Sequence, residues 1–171
     1  MTMDYIIKDF ITGKAVRNIG AEATRQAFEK FLVIEKGYDK TDIRVDEPIT
    51  VQFKGEDYDS SIDLIVFCKE KAMMAITCVA GSIGSYEREI LAGARLIYQY
   101  QIPFAVSTDA VNAVILDTLT GKTIGSSLED IPSKSRAKTF FKTLEFRALD
   151  ENRKEREMII YRSFNLEKVN I

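Results

Sequence analysis

The stretch that decides the fold runs from Ser61 to Gly81 and reads Ser-Ile-Asp-Leu-Ile-Val-Phe-Cys-Lys-Glu-Lys-Ala-Met-Met-Ala-Ile-Thr-Cys-Val-Ala-Gly. Two apolar runs flank the charged residues 69–71, which predicts two strands joined by a tight turn. One carboxylate, Asp63, lies inside the first strand, and burying a carboxylate costs free energy unless a partner compensates it. The second strand holds no acid and no lysine. Asp63 is therefore the first candidate for a functional residue.

The elements around this hairpin predict an α/β fold. Apolar periodicity predicts a helix over 21–35, whose apolar stripe we assign to Ala23, Ala27, Phe31 and Ile34, widened by Phe28 and Leu32. A strand over 43–53 and an acidic loop over 54–59 lead into the hairpin. Pro48 within that strand indicates an edge position or a bulge.

A strand over 73–79, a helix over 85–100 and a strand over 104–107 predict a parallel pair joined by a crossover helix. Because the hairpin is antiparallel, the central sheet is mixed, and we expect an α/β sandwich. A further strand begins at Ala113, and two C-terminal helices are predicted over 135–149 and 151–164. We divide the chain into a core, 1–130, and a helical extension, 131–171, packed on the same domain.

Composition narrows the class of protein. The 171 residues are 46% hydrophobic and 29% charged, as in a soluble globular domain. No apolar run reaches the ~20 residues of a membrane span, and the start lacks a signal-peptide pattern, so we expect a cytoplasmic protein without membrane contact. The absence of histidine excludes histidine-based triads and histidine metal sites. The two cysteines, Cys68 and Cys78, are expected as small core residues.

Charge is distributed unevenly along the chain. Residues 1–130 contain 14 basic and 20 acidic side chains, whereas residues 131–171 contain 10 basic and 6 acidic ones. The basic residues of the second segment could contact phosphates, but the acids interleaved with them favour a solvated helix surface.

Four segments resemble a known family. They are residues 20–32 (Gly-Ala-Glu-Ala-Thr-Arg-Gln-Ala-Phe-Glu-Lys-Phe-Leu), 35–43 (Glu-Lys-Gly-Tyr-Asp-Lys-Thr-Asp-Ile), 61–67 (Ser-Ile-Asp-Leu-Ile-Val-Phe) and 120–125 (Thr-Gly-Lys-Thr-Ile-Gly). In order and spacing they are similar to the N-terminal nuclease domain of the restriction (R) subunit of type I restriction enzymes, within the PD-(D/E)XK nuclease superfamily. The resemblance implies a restriction-endonuclease-like sandwich. No helicase phosphate-binding loop occurs in this chain.

The chemistry implied by the resemblance is metal-assisted phosphodiester hydrolysis. An aspartate and a second acid hold Mg²⁺, which lowers the pKa of an attacking water. A lysine two residues after the second acid positions that water and stabilises developing charge. Acid and lysine share one face because alternate residues of a strand point the same way.

Mapped onto this chain, Asp63 matches the family aspartate, and the Glu-x-Lys segment falls on Thr77-Cys78-Val79. Threonine is a poor ligand for Mg²⁺, and valine offers neither a donor nor a base. Glu22 matches a position that adds to metal binding in related nucleases. Arg25, Gln26 and Arg88 are candidate nucleic-acid contacts.

Asp63 has a second interpretation, as a structural acid hydrogen-bonded to the backbone or to an arginine such as Arg25. Glu22 likewise has a plainer reading, as an exposed acid in the first turn of a helix. Glu87 and Glu89 are candidates for a relocated acid.

Three hypotheses follow. The first is a catalytically impaired domain that binds nucleic acid or protein, with DNA or other protein subunits as partners and no cofactor. The second is a weakly active Mg²⁺-dependent endonuclease that uses Asp63 with a relocated acid. The third is a scaffold without a nucleic-acid role, which an isoelectric point of about 5.4 favours.

Overall fold

The computed structural model describes residues 5–169. Its strands are β1 (Ile6–Lys8), β2 (Ala15–Arg17), β3 (Ile43–Phe53), β4 (Glu56–Cys68), β5 (Lys71–Cys78), β6 (Phe104–Thr108), β7 (Ala113–Asp117) and β8 (Thr123–Gly125). Its α-helices are α1 (Glu22–Lys30), α2 (Glu87–Leu96), α3 (Lys134–Phe140) and α4 (Glu151–Val169). No helix in this part of the chain is both long and apolar enough to cross a membrane.

The central sheet has six strands in the order β3-β4-β5-β6-β7-β8, and β1 and β2 form a separate antiparallel hairpin. Strands β5 and β6 are parallel, with α2 in the connection between them, and every other neighbouring pair of the central sheet is antiparallel. The prediction of an α/β fold with a mixed sheet is confirmed. Pro48 lies on β3, at an edge of the sheet, as expected.

Two-residue turns set the register of the first three strands of this sheet. Lys54 and Gly55 join β3 to β4 with φ values of 50° and 79°, and Lys69 and Glu70 join β4 to β5 with 49° and 71°. Such left-handed turns match the twist of antiparallel strands. The prediction of an acidic loop over 54–59 is therefore wrong, because residues 56–59 pair with β3 as part of β4.

Helices cover both faces of the sheet. Phe28 and Leu32, from α1 and the turn after it, pack with Ala137 of α3 in one core cluster, which also contains Cys68 and Cys78. Both cysteines are free and buried, as predicted. The opposite face packs against α2 and α4, with Ile90, Ala92, Ala94 and Tyr161 in the second cluster.

The predicted apolar stripe of the first helix is confirmed at Phe28, Leu32 and the half-buried Phe31, and it is wrong at its other three positions. Ala23, Ala27 and Ile34 are exposed, and the buried residues of α1 are Arg25, Gln26, Phe28 and Glu29. The helix is also shorter than predicted, because residues 31–35 form a π-helical turn. A mostly polar face is buried because its side chains bond to one another and to acids of other elements, as described below.

The C-terminal helices also differ from the prediction. α3 begins after Ser133, whose hydroxyl caps the Arg136 N–H, but it ends at Phe140 instead of residue 149. The chain beyond it is held by tertiary contacts, since the Gln101 N–H donates to the Arg147 carbonyl at 2.8 Å. The Phe146 ring packs edge-on against Tyr100 at 5.4 Å. The β1–β2 hairpin and β8 are strands that the sequence patterns did not predict.

Candidate functional site

The candidate site is a cavity of about 290 Å³ beside Asp63. It lies between the start of α1 and strands β3, β4 and β5, and its charged lining residues are Glu22, Arg25, Asp46 and Asp63. We call this cavity the Asp63 pocket. A neighbouring cavity shares Asp63 and Cys78 with it and is also lined by Val79 and Tyr86.

The register of β4 and β5 places Asp63 next to the degenerate motif. Leu64 pairs with Ile76, so Asp63 lies opposite Thr77 on the adjacent strand. The Thr77 hydroxyl donates to Asp63 Oδ2 at 3.4 Å, and the Cys78 N–H donates to the same oxygen at 2.7 Å. Val79, only 3% exposed, lines the adjoining cavity. The structure thus brings together the three positions that the resemblance singles out.

Asp46 is an acid of this site that sequence reasoning missed. It lies on β3 between the pairs Val45–Leu64 and Glu47–Ile62, and so faces Asp63 across the strand boundary. Its backbone is left-handed, with φ of 54°, a conformation that aspartate tolerates better than most residues. The signal was present in the sequence, because a two-residue turn at Lys54 and Gly55 fixes this register.

Two carboxylates facing each other across a sheet repel, and Arg25 of α1 offsets that repulsion. Its Nη1 lies 2.6 Å from Asp46 Oδ1, and its Nη2 lies 2.9 Å from both Oε1 and Oε2 of Glu22. The guanidinium is almost fully buried, with 8% of the side chain exposed. Burial alone would lower the pKa of Arg25, but the charges of Asp46, Glu22 and Asp63 outweigh it and raise this pKa.

Gln26 extends the network below the pocket. Its amide nitrogen donates to Glu22 Oε1 and to Asp9 Oδ2, both at 2.8 Å, and its carbonyl oxygen accepts the Phe10 N–H. Asp9 Oδ1 in turn accepts the N–H groups of Ile11 and Thr12. Arg25 and Gln26 are therefore engaged by the chain itself, and their role as nucleic-acid contacts stays a prediction.

A buried carboxyl, Glu29, completes the polar face of α1. Burial raises the pKa of Glu29 to about 8, and the neighbouring Asp9 adds to this effect. The pKa of Asp9 is lowered, because its hydrogen bonds from Thr12 and Gln26 outweigh the opposing effect of burial. At neutral pH the pair therefore carries one charge. Glu22, Gln26 and Glu29 are spaced as one helix face, but this spacing does not itself indicate that the face is buried.

The residues of the Asp63 pocket do not fit a bound metal ion. Glu22 and Asp46 are already paired with Arg25, whose fixed positive charge weakens the attraction of the carboxylates for a divalent cation. Across residues 5–169, no group of three or more His, Cys, Asp or Glu side chains has an arrangement that could hold a metal. The geometry instead favours a closed ion-pair cluster.

The remaining candidates lie on α2. Glu89 is buried, and it approaches the Tyr161 hydroxyl, whose pKa is raised by burial and by the charges of Glu89 and Asp63. Glu87 lies two residues earlier and is partly exposed. Arg88 is exposed and lines a different cavity, between α2 and α4.

Neither a comparison with curated proteins nor one with solved structures returns a match. A family model, described as the type I restriction enzyme R protein N terminus, matches residues 20–132. The matched segment contains α1, all six strands of the central sheet and the charged residues of the Asp63 pocket, and the mixed α/β architecture is consistent with the restriction-endonuclease-like fold. The chain therefore belongs to the family of type I restriction enzyme R protein N termini.

Proposed function

We propose that this chain is a catalytically impaired restriction-endonuclease-like domain that binds nucleic acid without hydrolysing it. The observation that carries the proposal is the environment of Asp63, which faces Thr77 and Val79 and shares its pocket with the ion-paired Arg25. Family membership supports nucleic acid as the ligand.

The chemistry of hydrolysis supports the impaired assignment. Metal-assisted cleavage needs acidic ligands for the ion and a group that handles the proton of the attacking water. The Thr77 hydroxyl is neutral and its donor is directed at Asp63. The Val79 side chain can neither donate nor accept a proton. Two of the three chemical positions therefore lack the required group.

Arg25 supports the same assignment from the electrostatic side. Its guanidinium stays charged at any physiological pH, and it holds the Glu22 and Asp46 carboxylates through ion pairs of 2.9 and 2.6 Å. A divalent cation entering the pocket would have to displace or approach this charge. The Arg25 guanidinium thus places a positive charge where the family chemistry requires a metal ion.

The hydrolysis half of the proposal is tested with plasmid, single-stranded DNA and RNA in Mg²⁺ or Mn²⁺. We expect no cleavage above the level of an Asp63→Ala variant. Asp57→Ala, an exposed acid on the same strand, is the matched control. Cleavage that the wild type and Asp57→Ala share, and that Asp63→Ala abolishes, would overturn the proposal.

The binding half is tested by titrating labelled single-stranded and duplex DNA at low and high salt. Binding through phosphate contacts weakens as salt rises, and we expect that dependence. Absence of binding even at the lowest salt would contradict a nucleic-acid role and leave the scaffold hypothesis.

A weakly active endonuclease is the second candidate, and one observation favours it. Glu22 and Asp46 line the same cavity as Asp63, so acids other than the missing glutamate are close to it. In that case Glu22→Ala or Asp46→Ala would abolish a Mn²⁺-dependent cleavage seen in the wild type. Binding of Mn²⁺ by the wild-type protein, measured by calorimetry, would also favour this candidate.

A further inference from the structure

A second polar cavity, of about 290 Å³, lies between α2 and α4. Its polar lining consists of Arg88 and Arg95 from α2 and Asn152, Arg153, Arg156 and Glu157 from α4. We call this cavity the arginine groove. It belongs to the α2–α4 layer, on the face of the sheet opposite α1.

Helix geometry explains why the arginines converge. Arg88 and Arg95 are two turns apart on α2, and Arg153 and Arg156 are one turn apart on α4, so each pair shares a helix face. The two helices approach closely at Gly93, where a Cβ atom would lie 3.2 Å from the Tyr161 ring. The close crossing brings both arginine pairs to one opening.

One carboxylate, that of Glu157, lies among these four guanidinium groups, and it is paired with Arg95 at the floor of the groove. Glu157 Oε1 lies 2.8 Å from Arg95 Nη1 and 3.9 Å from Arg153 Nη2. Arg95 also donates from Nε to the Thr118 carbonyl at 3.0 Å. Arg95 and Glu157 therefore form a structural pair.

The rim of the groove keeps uncompensated positive charge. Arg88, Arg153 and Arg156 are exposed, and within residues 5–166 neither Arg88 nor Arg156 has a carboxylate within 4.0 Å. Glu151, the acid at the start of α4, pairs with Lys154 instead. Four arginines and one glutamate leave a local excess of positive charge that an anion would relieve.

We infer that the arginine groove binds phosphate groups. The planar guanidinium presents paired N–H donors that match two phosphate oxygens, which a surface lysine does not. The cavity lies at the small end of ligand sites, roughly 300–1,000 Å³, so it suits a phosphate or diphosphate and not a whole base. The phosphate could belong to a free nucleotide or to a nucleic-acid strand. The inference does not depend on the Asp63 pocket.

The test measures pyrophosphate binding to the full chain by calorimetry and by thermal melting in a phosphate-free buffer. The groove variant is R88A/R156A, which spares the buried Arg95–Glu157 pair. The matched control is K14A/R17A, which removes the same charge from the exposed β1–β2 hairpin. We expect saturable binding by the wild type and the control, and at least about tenfold weaker binding by the groove variant.

Further arms distinguish the two sources of phosphate. Displacement of pyrophosphate by adenosine diphosphate, but not by a single-stranded oligonucleotide, indicates a nucleotide ligand. Displacement by the oligonucleotide indicates a nucleic-acid strand. Either result supports the inference. R88K/R156K, which keeps charge but loses the paired donors, should bind with intermediate affinity. Pyrophosphate binding that is lost in the groove variant supports the inference even if the chain binds no nucleic acid, so failures of the two proposals are distinguishable.

Two results would overturn the inference. One is no binding of any of the three probes up to about 10 mM, beyond the affinity range of a specific site. The other is unchanged binding by a folded R88A/R156A protein. Melting without ligand establishes that each variant is folded.

Discussion

Arg25 offsets part of the negative charge of the Asp63 pocket. Arg25 and its neighbours show which parts of this site can be predicted from the sequence. The family resemblance singles out Asp63, Thr77 and Val79, and the structure brings them together. The roles of Arg25 and Asp46 depend on how α1 packs and on the exact β3–β4 register. Apolar periodicity predicts neither the packing of α1 nor this register. A polar residue on a helix, such as Arg25, is ordinarily assigned to solvent.

Glu29 gives the first prediction at this scale. It is fully buried, and its pKa is raised from 4.5 to about 8. The folded chain therefore keeps a proton that the unfolded chain loses between these values, so the stabilisation contributed by Glu29 is complete below pH 4.5 and is lost as pH rises to about 8. We expect this effect to lower the free energy of unfolding by up to about 1.4 kcal/mol per pH unit, measured by urea unfolding across that range.

Glu29→Gln removes this titration and should flatten the slope attributable to this residue. Glu35→Gln, at an exposed position just after the same helix, should retain it. An identical pH dependence of unfolding in the wild type and in Glu29→Gln would show that Glu29 is already ionised in the folded chain.

At the scale of elements, the sequence predicts best what depends on local patterns. The β3 strand, the β4–β5 hairpin and the crossover through α2 follow from apolar runs and alternation. The errors come from tertiary contacts. α1 buries a polar face because Asp9 and Asp46 supply partners for it, and residues 144–149 leave the predicted helix because of contacts to Tyr100 and Gln101.

Gly125 of β8 gives a prediction about strand packing. A Cβ atom there would lie 2.8 Å from both Asp130 Cβ and Ile115 Cδ1. Gly125→Ala should therefore lower the free energy of unfolding by about 1–3 kcal/mol, the usual cost of overpacking. Gly81→Ala, where no atom lies within 4 Å of the added Cβ, is the control and should change stability little. Equal stabilities of the two variants would contradict this account of β8.

At the scale of the whole molecule, an ion pair joins the C-terminal helix to the core. Arg95 of α2 and Glu157 of α4 are 9% and 4% exposed, and their charged atoms lie 2.8 Å apart. Tyr161 and Asn165 continue this contact, bonding to Ser60 of β4 at 3.1 and 2.8 Å. These contacts pack α4 against the core, while the division of the chain at residue 130 stays a prediction.

Removal of either Arg95 or Glu157 leaves the other charged side chain buried and unpaired. Glu157→Ala should therefore lower the free energy of unfolding by about 3–5 kcal/mol, while R95M/E157L recovers most of that loss. The measurement is urea unfolding, with the exposed Glu155→Ala as control. A Glu157→Ala protein as stable as this control would mean that the Arg95–Glu157 ion pair does not contribute to holding α4.

The two-residue turns at 54–55 and 69–70 have a consequence for the order of assembly. They make β3–β4 and β4–β5 two consecutive hairpins, and hairpins form within microseconds. The Arg25–Asp46 bond, by contrast, joins two elements, α1 and β3, that no hairpin turn connects. We expect the three strands to pair first and α1 to dock on them later. In a folding intermediate whose three strands have paired but whose α1 has not docked, Asp46 and Asp63 face solvent. The Arg25 guanidinium, which offsets part of their charge in the folded chain, is then absent from the site.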